Sequence, residues 1–243
     1  MRNPGYAMNA YLKCPLFAGH PIAHGFGLRT PLSQPEGFDF LTGPVVAVKQ
    51  VHGREIVTVI SPPPTRDPIF WLGDADALVT AVPGVALGVR TADCAPILLF
   101  DPVARVVAAV HAGWRGAAQE IVRHTVVRME REWGSRPIDL RAAIGPCISP
   151  ARFEVGAEVR TAFAGYPERL CPSPAKDGQE KWLLDLPGVL LDQFRALGVP
   201  GNQVEWIGAC TVGDADRFSS YRREREASTR QWNIIQLRAM RSV

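Results

Sequence analysis

Hydrophobic positions along the chain fall mostly into short β-branched runs, with one longer stretch at helical spacing. VVAVKQVHG (Val45–Gly53) predicts a strand that feeds a glycine turn, and EIVTVI (Glu55–Ile60) follows closely enough to pair with it. SPPPTRDP (Ser61–Pro68) is a loop, too short for an interdomain linker. DADALVTAV (Asp74–Val82) and VALGVRTADCAPILLFDP (Val85–Pro102) read as strands, the second interrupted at Thr91–Cys94. Val106–Val110 predicts a buried strand that breaks into a loop bracketed by Gly113 and Gly116. From Ala117 to about Trp133, Val122, Val126, Met129 and Trp133 recur at intervals of three and four, which predicts a helix stopped by Gly134.

DLRAAIGPC predicts a further strand and turn, and Ser149–Pro150 resembles the cap and first-turn proline of a helix running to about Ala164. Residues 165–181 form a polar excursion, Leu184–Leu197 is partly helical, and Val204–Ala209 and the apolar segment after Arg230 are strands. Residues 1–44 are rich in glycine and proline and predict only a short strand near Ile22–Leu28. Strands and helices mix without a regular βαβ rhythm, and neither a repeat nor a shift in composition divides the chain. The expected fold is α+β, in a single domain covering residues 1–243.

Composition narrows the function classes. A length of 243 residues with 47% hydrophobic and 21% charged positions excludes disordered, collagenous and coiled-coil proteins. The 27 basic and 24 acidic residues are spread along the chain, leaving a net charge of +3 and no basic stripe of the kind that binds nucleic acid. Five widely spaced cysteines fit a reducing compartment better than a disulfide framework. The first residues lack the apolar core of a signal peptide, and no run approaches the roughly 20 apolar residues of a membrane span, so a cytoplasmic location is expected.

Three side chains stand out chemically. His52 and His111 each end a β-branched strand just before a glycine turn, and Cys94 lies in the polar interruption of an apolar run. If these strand ends converge, two imidazoles and a thiolate make a ligand set suited to Zn²⁺, with one position left open. The spacings of 42 and 17 residues match no short zinc motif, and a metal-free alternative stands beside this one: His111 deprotonating Cys94 for nucleophilic attack. Asp93 then serves as a partner to a neighbouring strand end or as a turn-forming residue. Arg115, in the loop after His111, offers a planar donor fork to an anion such as phosphate. His20, His24 and His124 read as ordinary surface or hydrogen-bonded histidines. Dinucleotide, P-loop, zincin and serine-hydrolase motifs are all absent from the sequence.

QVHG (Gln50–Gly53), TADCAP (Thr91–Pro96) and VHAGWRG (Val110–Gly116) together resemble the multicopper polyphenol oxidase, or laccase-domain, family. Many of its members are described as purine nucleoside phosphorylases with adenosine deaminase activity. DADALVT, IGPCI, FEVGAEV, WLLDL and FSSYRR extend the resemblance over about residues 45–243. It implies a layered α/β/β/α sandwich and a single metal ion, zinc or copper, held by His52, Cys94 and His111. It also implies purine nucleosides and inorganic phosphate as ligands, with the protein a monomer or homodimer. On that footing Arg115 and either Arg222 or Arg223 hold phosphate, Asp93 or Asp76 moves a proton, and Cys147 on its Gly-Pro turn contacts the base. The chain departs from the family before QVHG, where residues 27–44 form a shortened segment without the usual asparagine motif. The expectation is a more open site, altered substrate preference or little phosphorylase activity; the alternative readings are a copper-dependent polyphenol oxidase and a non-catalytic metal- or nucleotide-binding protein.

Overall fold

The computed structural model describes residues 11–29, 34–35, 37–176 and 179–239. The first half is built from strands β1 (Tyr11–Leu12), β2 (Ile22–Gly27), β3 (Val45–Lys49), β4 (Ile56–Thr58), β5 (Ile69–Asp74), β6 (Ala77–Thr80), β7 (Ala86–Thr91), β8 (Ala95–Asp101) and β9 (Val106–Ala112). Helices α1 (Trp114–Ala118) and α2 (Ile121–Trp133) follow, then β10 (Arg141–Ile144), β11 (Glu154–Val155) and α3 (Ala157–Ala162). The chain ends with β12 (Leu170–Lys176), β13 (Gln179–Leu184), α4 (Leu186–Ala196), β14 (Val204–Trp206), α5 (Tyr221–Glu224) and β15 (Gln231–Leu237).

Two mixed six-stranded sheets carry the fold: β1-β2-β15-β7-β3-β5 and β14-β10-β8-β9-β6-β4, with a small sheet β11-β13-β12 beside them. Strand periodicity divides the buried residues between layers. Val46 and Val48 point toward the second sheet and pack with Leu78, Leu98, Phe100 and Val107, whereas Val45 and Ala47 face the outer side with Trp232, Tyr11 and Phe38. On the second sheet, Ala77, Val79, Ile97 and Leu99 turn the other way and meet Ile121, Val122, Val126 and Met129 of α2 and Leu190 and Phe194 of α4. The architecture is α+β, as the mixed pattern predicts. No helix of the described residues is long and apolar enough to cross a membrane.

Five local expectations are corrected. The Glu55–Ile60 segment does not pair with β3: β4 joins the second sheet, parallel to β6, because the intervening turn carries the chain from one sheet to the other. The loop expected after His111 is already helical from Trp114. Gln119–Glu120 then separates α1 from α2, with Glu120 at φ 57° in the left-handed region. Gly134, at φ 70°, ends α2 as expected. Residues 150–164 are not one helix. Ser149 makes no side-chain cap, a 3-10 turn covers Pro150–Arg152, and Glu154–Val155 is drawn into pairing with β13 before the short α3 begins. The polar excursion of residues 165–181 contains the hairpin β12–β13, whose prolines Pro172 and Pro174 fall on an edge strand. Finally, β5 forms a sheet edge over Ile69–Asp74, where the sequence pattern predicts no strand before Asp74. Part of the shortened 27–44 segment lies outside the described residues.

His24 on β2 is a core residue: it is buried, its Nε2 accepts the Cys14 amide at 2.9 Å, and Phe17 meets it edge-on. Burial, helped by the charge of Lys13, holds its pKa down to about 4 against an ordinary 6.5. Below pH 6.5 the unfolded chain takes up a proton that the folded chain refuses until about pH 4. The histidine's contribution is therefore complete above pH 6.5 and lost as pH falls through 4, a swing of about 3 kcal/mol. Urea unfolding at stepped pH should show this acid-side loss, and His24→Gln, which keeps an acceptor for Cys14, should flatten it.

Candidate metal centre and cavity

Two crossings between the sheets and one strand bring the three chosen side chains together. After β3 the chain turns through Gln50–Gly53 and enters the second sheet as β4; after β7 it passes Ala92–Cys94 and enters that sheet as β8. His111 lies on β9 opposite Pro96. The ligand atoms of His52, Cys94 and His111 all fall within 4.8 Å of one another, and the two imidazoles meet edge-on with centroids 4.9 Å apart.

Asp76 fixes this arrangement. Its fully buried carboxylate accepts the amides of Val51, His52 and Gly53 at 3.2, 3.0 and 2.6 Å, and His111 Nδ1 at 2.7 Å. Its carbonyl also accepts the His111 amide at 2.7 Å. Three successive amides converging on one carboxylate shape a tight turn, with His52 in the left-handed region at φ 61°. Burial opposes the charge on Asp76, but hydrogen bonds from His111 and the turn outweigh it and hold the carboxyl below its usual range. An ionised carboxylate only accepts, so His111 donates from Nδ1 and presents Nε2 toward Cys94 and His52.

The donor set fits a metal ion. Burial disfavours a Cys94 thiolate, yet the His111 and His52 rings overcome this and bring its pKa down to about 6. Burial likewise opposes charge on His111, but Cys94 and Asp76 raise it to about 9. A thiolate facing a proton held on imidazole is what a divalent cation would replace. A Cβ built at Gly113 would meet Cys94 Sγ at 3.0 Å and His52 Cδ2 at 3.1 Å, so the glycine keeps the space beside the donors open.

The three residues line a cavity of about 950 Å³. Arg115 and Arg222 also line it. Arg115 lies over the Trp114 ring and pairs with Glu158 at 3.5 Å; Arg222 lies over Phe153 and donates to the Glu154 carbonyl at 3.0 Å. Asp93, at φ 84°, is not on an extended segment. Its carboxylate accepts Thr211 Oγ1 at 2.6 Å, Ser220 Oγ at 3.1 Å and the Arg222 amide at 2.6 Å, which ties the Thr91–Cys94 turn to the C-terminal segment. Two candidates lie elsewhere. Arg223 spends its guanidinium on the carbonyls of Thr211, Val212 and Phe218 and is not part of the lining. Cys147 is fully buried beside Cys210 and is not part of the lining, and burial and its sulfur neighbours push its thiol far up. Trp71, Arg90, Arg225 and Arg230 carry no motif that marks them in the sequence, yet all four line the cavity; only the tertiary structure brings them to the triad.

Residues 35–238 match the family described as multi-copper polyphenol oxidoreductase laccase. The chain belongs to that family. Within it, a purine nucleoside phosphorylase of Bacteroides thetaiotaomicron is 45% identical over 154 residues, 63% of this chain and 57% of that protein. One from Deinococcus radiodurans is 40% identical over 192 residues, 78% of this chain and 69% of the relative. The chain thus spans a little over half of the first relative's length and about two thirds of the second's. The crystal structure of the hypothetical protein YfiH of Bacillus licheniformis superimposes with a TM-score of 0.77 at 25% identity, covering 89% of this chain and 93% of that one. The family relationship therefore extends to YfiH-type, purine nucleoside phosphorylase-like proteins, and the His52–Cys94–His111 group is able to coordinate a metal ion.

Replacing Asp76 by asparagine turns an acceptor oxygen into an NH₂ that faces amides. Metal affinity should fall about 10- to 100-fold, measured by competition with a chromogenic chelator. Cys94→Ser should lose the ion while remaining folded. An Asp76→Asn protein that holds metal as tightly as the parent would remove the assigned positioning role.

Proposed function

We propose that this protein is a zinc-dependent purine nucleoside phosphorylase. Adenosine, inosine or methylthioadenosine would be cleaved to the free base and a ribose 1-phosphate derivative, and adenosine would also be deaminated to inosine at the same site. The observation that carries this reading is the shared cavity: a metal-capable donor set and several guanidinium groups face one volume large enough for a nucleoside and an anion. The names of the Bacteroides and Deinococcus relatives support it.

In this reading His52, Cys94 and His111 would hold zinc, and the ion would supply Lewis-acid polarisation when bound. Arg115 and Arg222 hold inorganic phosphate and steady it beside the sugar. A phosphate oxygen then bonds to C1′ as the glycosidic bond breaks, and the base leaves with that electron pair. Asp76 positions and does not shuttle protons, since its four acceptor sites are taken. Asp93 lines the cavity, has three donors and keeps one acceptor site, so it is assigned the proton transfer of deamination. The donors would also accept copper. Among the described residues there is one such group, which suits a single-ion centre rather than the several coppers of four-electron oxygen reduction. Five free cysteines accord with a cytoplasmic, reducing location.

Zinc-loaded protein incubated with adenosine should yield adenine and ribose 1-phosphate only when phosphate is present, and inosine without it, resolved by chromatography. Arg115→Ala and Arg222→Ala should each lower phosphorolysis at least tenfold while sparing phosphate-independent inosine formation. Absence of any nucleoside product from fully loaded protein overturns the reading.

A further inference from the structure

The cavity holds more cationic groups than one inorganic phosphate requires, and they lie on two different walls. Arg115 and Arg222 belong to the side made by α1 and by the Phe153–Glu154 segment. Another part of the lining comes from the first sheet, whose neighbouring strands β7 and β5 carry Arg90 and Trp71 while Arg230 and Gln50 stand next to β15 and β3.

Arg90 is held there as a fixed group. Its guanidinium lies 4.7 Å from the Trp71 ring centroid and 5.5 Å from that of Trp232. Its backbone is clamped by the Gln50 amide, which accepts the Arg90 N–H at 2.8 Å and donates to the Arg90 carbonyl at 2.7 Å. The Arg90 Nε is buried without a hydrogen-bond partner. Among the described residues no carboxylate comes within ion-pair distance of Arg90 or Arg230, and Asp93, the one carboxylate of the lining, is occupied elsewhere.

A guanidinium packed against two indoles would be unremarkable if an acid neutralised it. Here its charged neighbour is a second arginine, and burial together with Arg230 lowers the pKa of Arg90 from its ordinary value. Keeping two like charges together in a partly desolvated wall is unfavourable until an anion joins them. Arg230 is exposed at the rim, held through the Ser228 and Thr229 carbonyls and lying 5.7 Å from the Tyr221 ring centroid, so an incoming group can reach both arginines.

We propose that Arg90 and Arg230 form a second anion subsite that binds the phosphate monoester of a nucleotide, making nucleoside monophosphates ligands of this cavity. The proposal rests on the nucleoside reading above for the rest of the ligand. Trp71, 44% exposed beside Arg90, offers a face to the same ligand and a fluorescent report of its arrival. Two guanidinium groups match the dianion of a monoester in charge and in donor geometry.

The test compares adenosine, adenosine 5′-monophosphate and inorganic phosphate as ligands of the zinc-loaded full chain, by calorimetry and tryptophan fluorescence. The nucleotide should bind at least about tenfold more tightly than adenosine, with an advantage that shrinks as salt rises. Arg90→Gln and Arg230→Gln should each cut that advantage about tenfold; Arg230, at the rim, keeps the test valid should Arg90→Gln fail to fold. Equal affinities for nucleotide and nucleoside, or an advantage that survives both substitutions, overturn the proposal. If inorganic phosphate alone erases the advantage while adenosine still binds, the subsite belongs to free phosphate and the nucleotide assignment falls. Adenosine phosphorolysis is scored in parallel. Its absence with the nucleotide advantage intact overturns the phosphorylase reading and leaves the subsite standing.

Discussion

The site depends on one buried carboxylate. Asp76 is the point where the turn leaving the first sheet and the strand carrying His111 are held to each other, by three amides, one imidazole and a carbonyl bond. Burying a charge of this kind costs several kcal/mol unless every lone pair finds a donor. Here each does, so the penalty falls on any conformation that moves the Val51–Gly53 turn or rotates His111. The same bonds set which imidazole nitrogen remains available. Metal affinity, ring orientation and sheet crossing are therefore one problem with one solution, rather than three independent features.

Asp93 plays the corresponding part on the other side of Cys94. It binds Thr211, Ser220 and the Arg222 amide, so the turn that carries the cysteine is tied to a segment more than a hundred residues away. Both acids that approach the site are thus largely saturated by the protein itself. What remains facing the cavity is cationic: Arg90, Arg115, Arg222, Arg225 and Arg230, with Lys49 turned partly to Asp74. The net charge of +3 conceals this field because its compensating acids lie elsewhere on the surface.

Most of the secondary structure was legible because strands buried on both faces, such as β8 and β9, leave unbroken apolar runs, and α2 leaves a stripe at helical spacing. What failed had a tertiary cause. Glu154–Val155 is extended because β13 offers it a partner, although proline at 150 and the residues after it read as helix. β12 contains two prolines, which only an edge strand tolerates, and β5 owes its existence to β3. The triad is legible from spacing only as three suggestive strand ends, since separations of 42 and 17 residues carry no geometry; it reads as one site through the resemblance of QVHG, TADCAP and VHAGWRG to a known family. The acid that organises it, Asp76, stands in DADALVT, where the resemblance offers it for proton transfer, a role that its four filled acceptor sites argue against.

The location of the site follows from the topology. His52 sits where the chain leaves β3 for the second sheet, and Cys94 where it leaves β7 for the same sheet. A crossing between stacked sheets about 10 Å apart must reverse its direction within a few residues, and the backbone here does so through positive φ at His52 and Asp93. Such conformations cost about 1–3 kcal/mol in non-glycine residues and persist only where surrounding bonds leave no alternative. Asp76 supplies those bonds directly at the first crossing, and at the second Asp93 supplies its own through Thr211 and Ser220. Two strained crossings placed side by side deliver a histidine and a cysteine to the same point, and β9, running between the strands they connect to, needs only one residue at its end to complete the set. The donor atoms are close because the parallel neighbours β3 and β7 both leave for the second sheet from their C-terminal ends, and that is why the three residues can stand far apart in sequence.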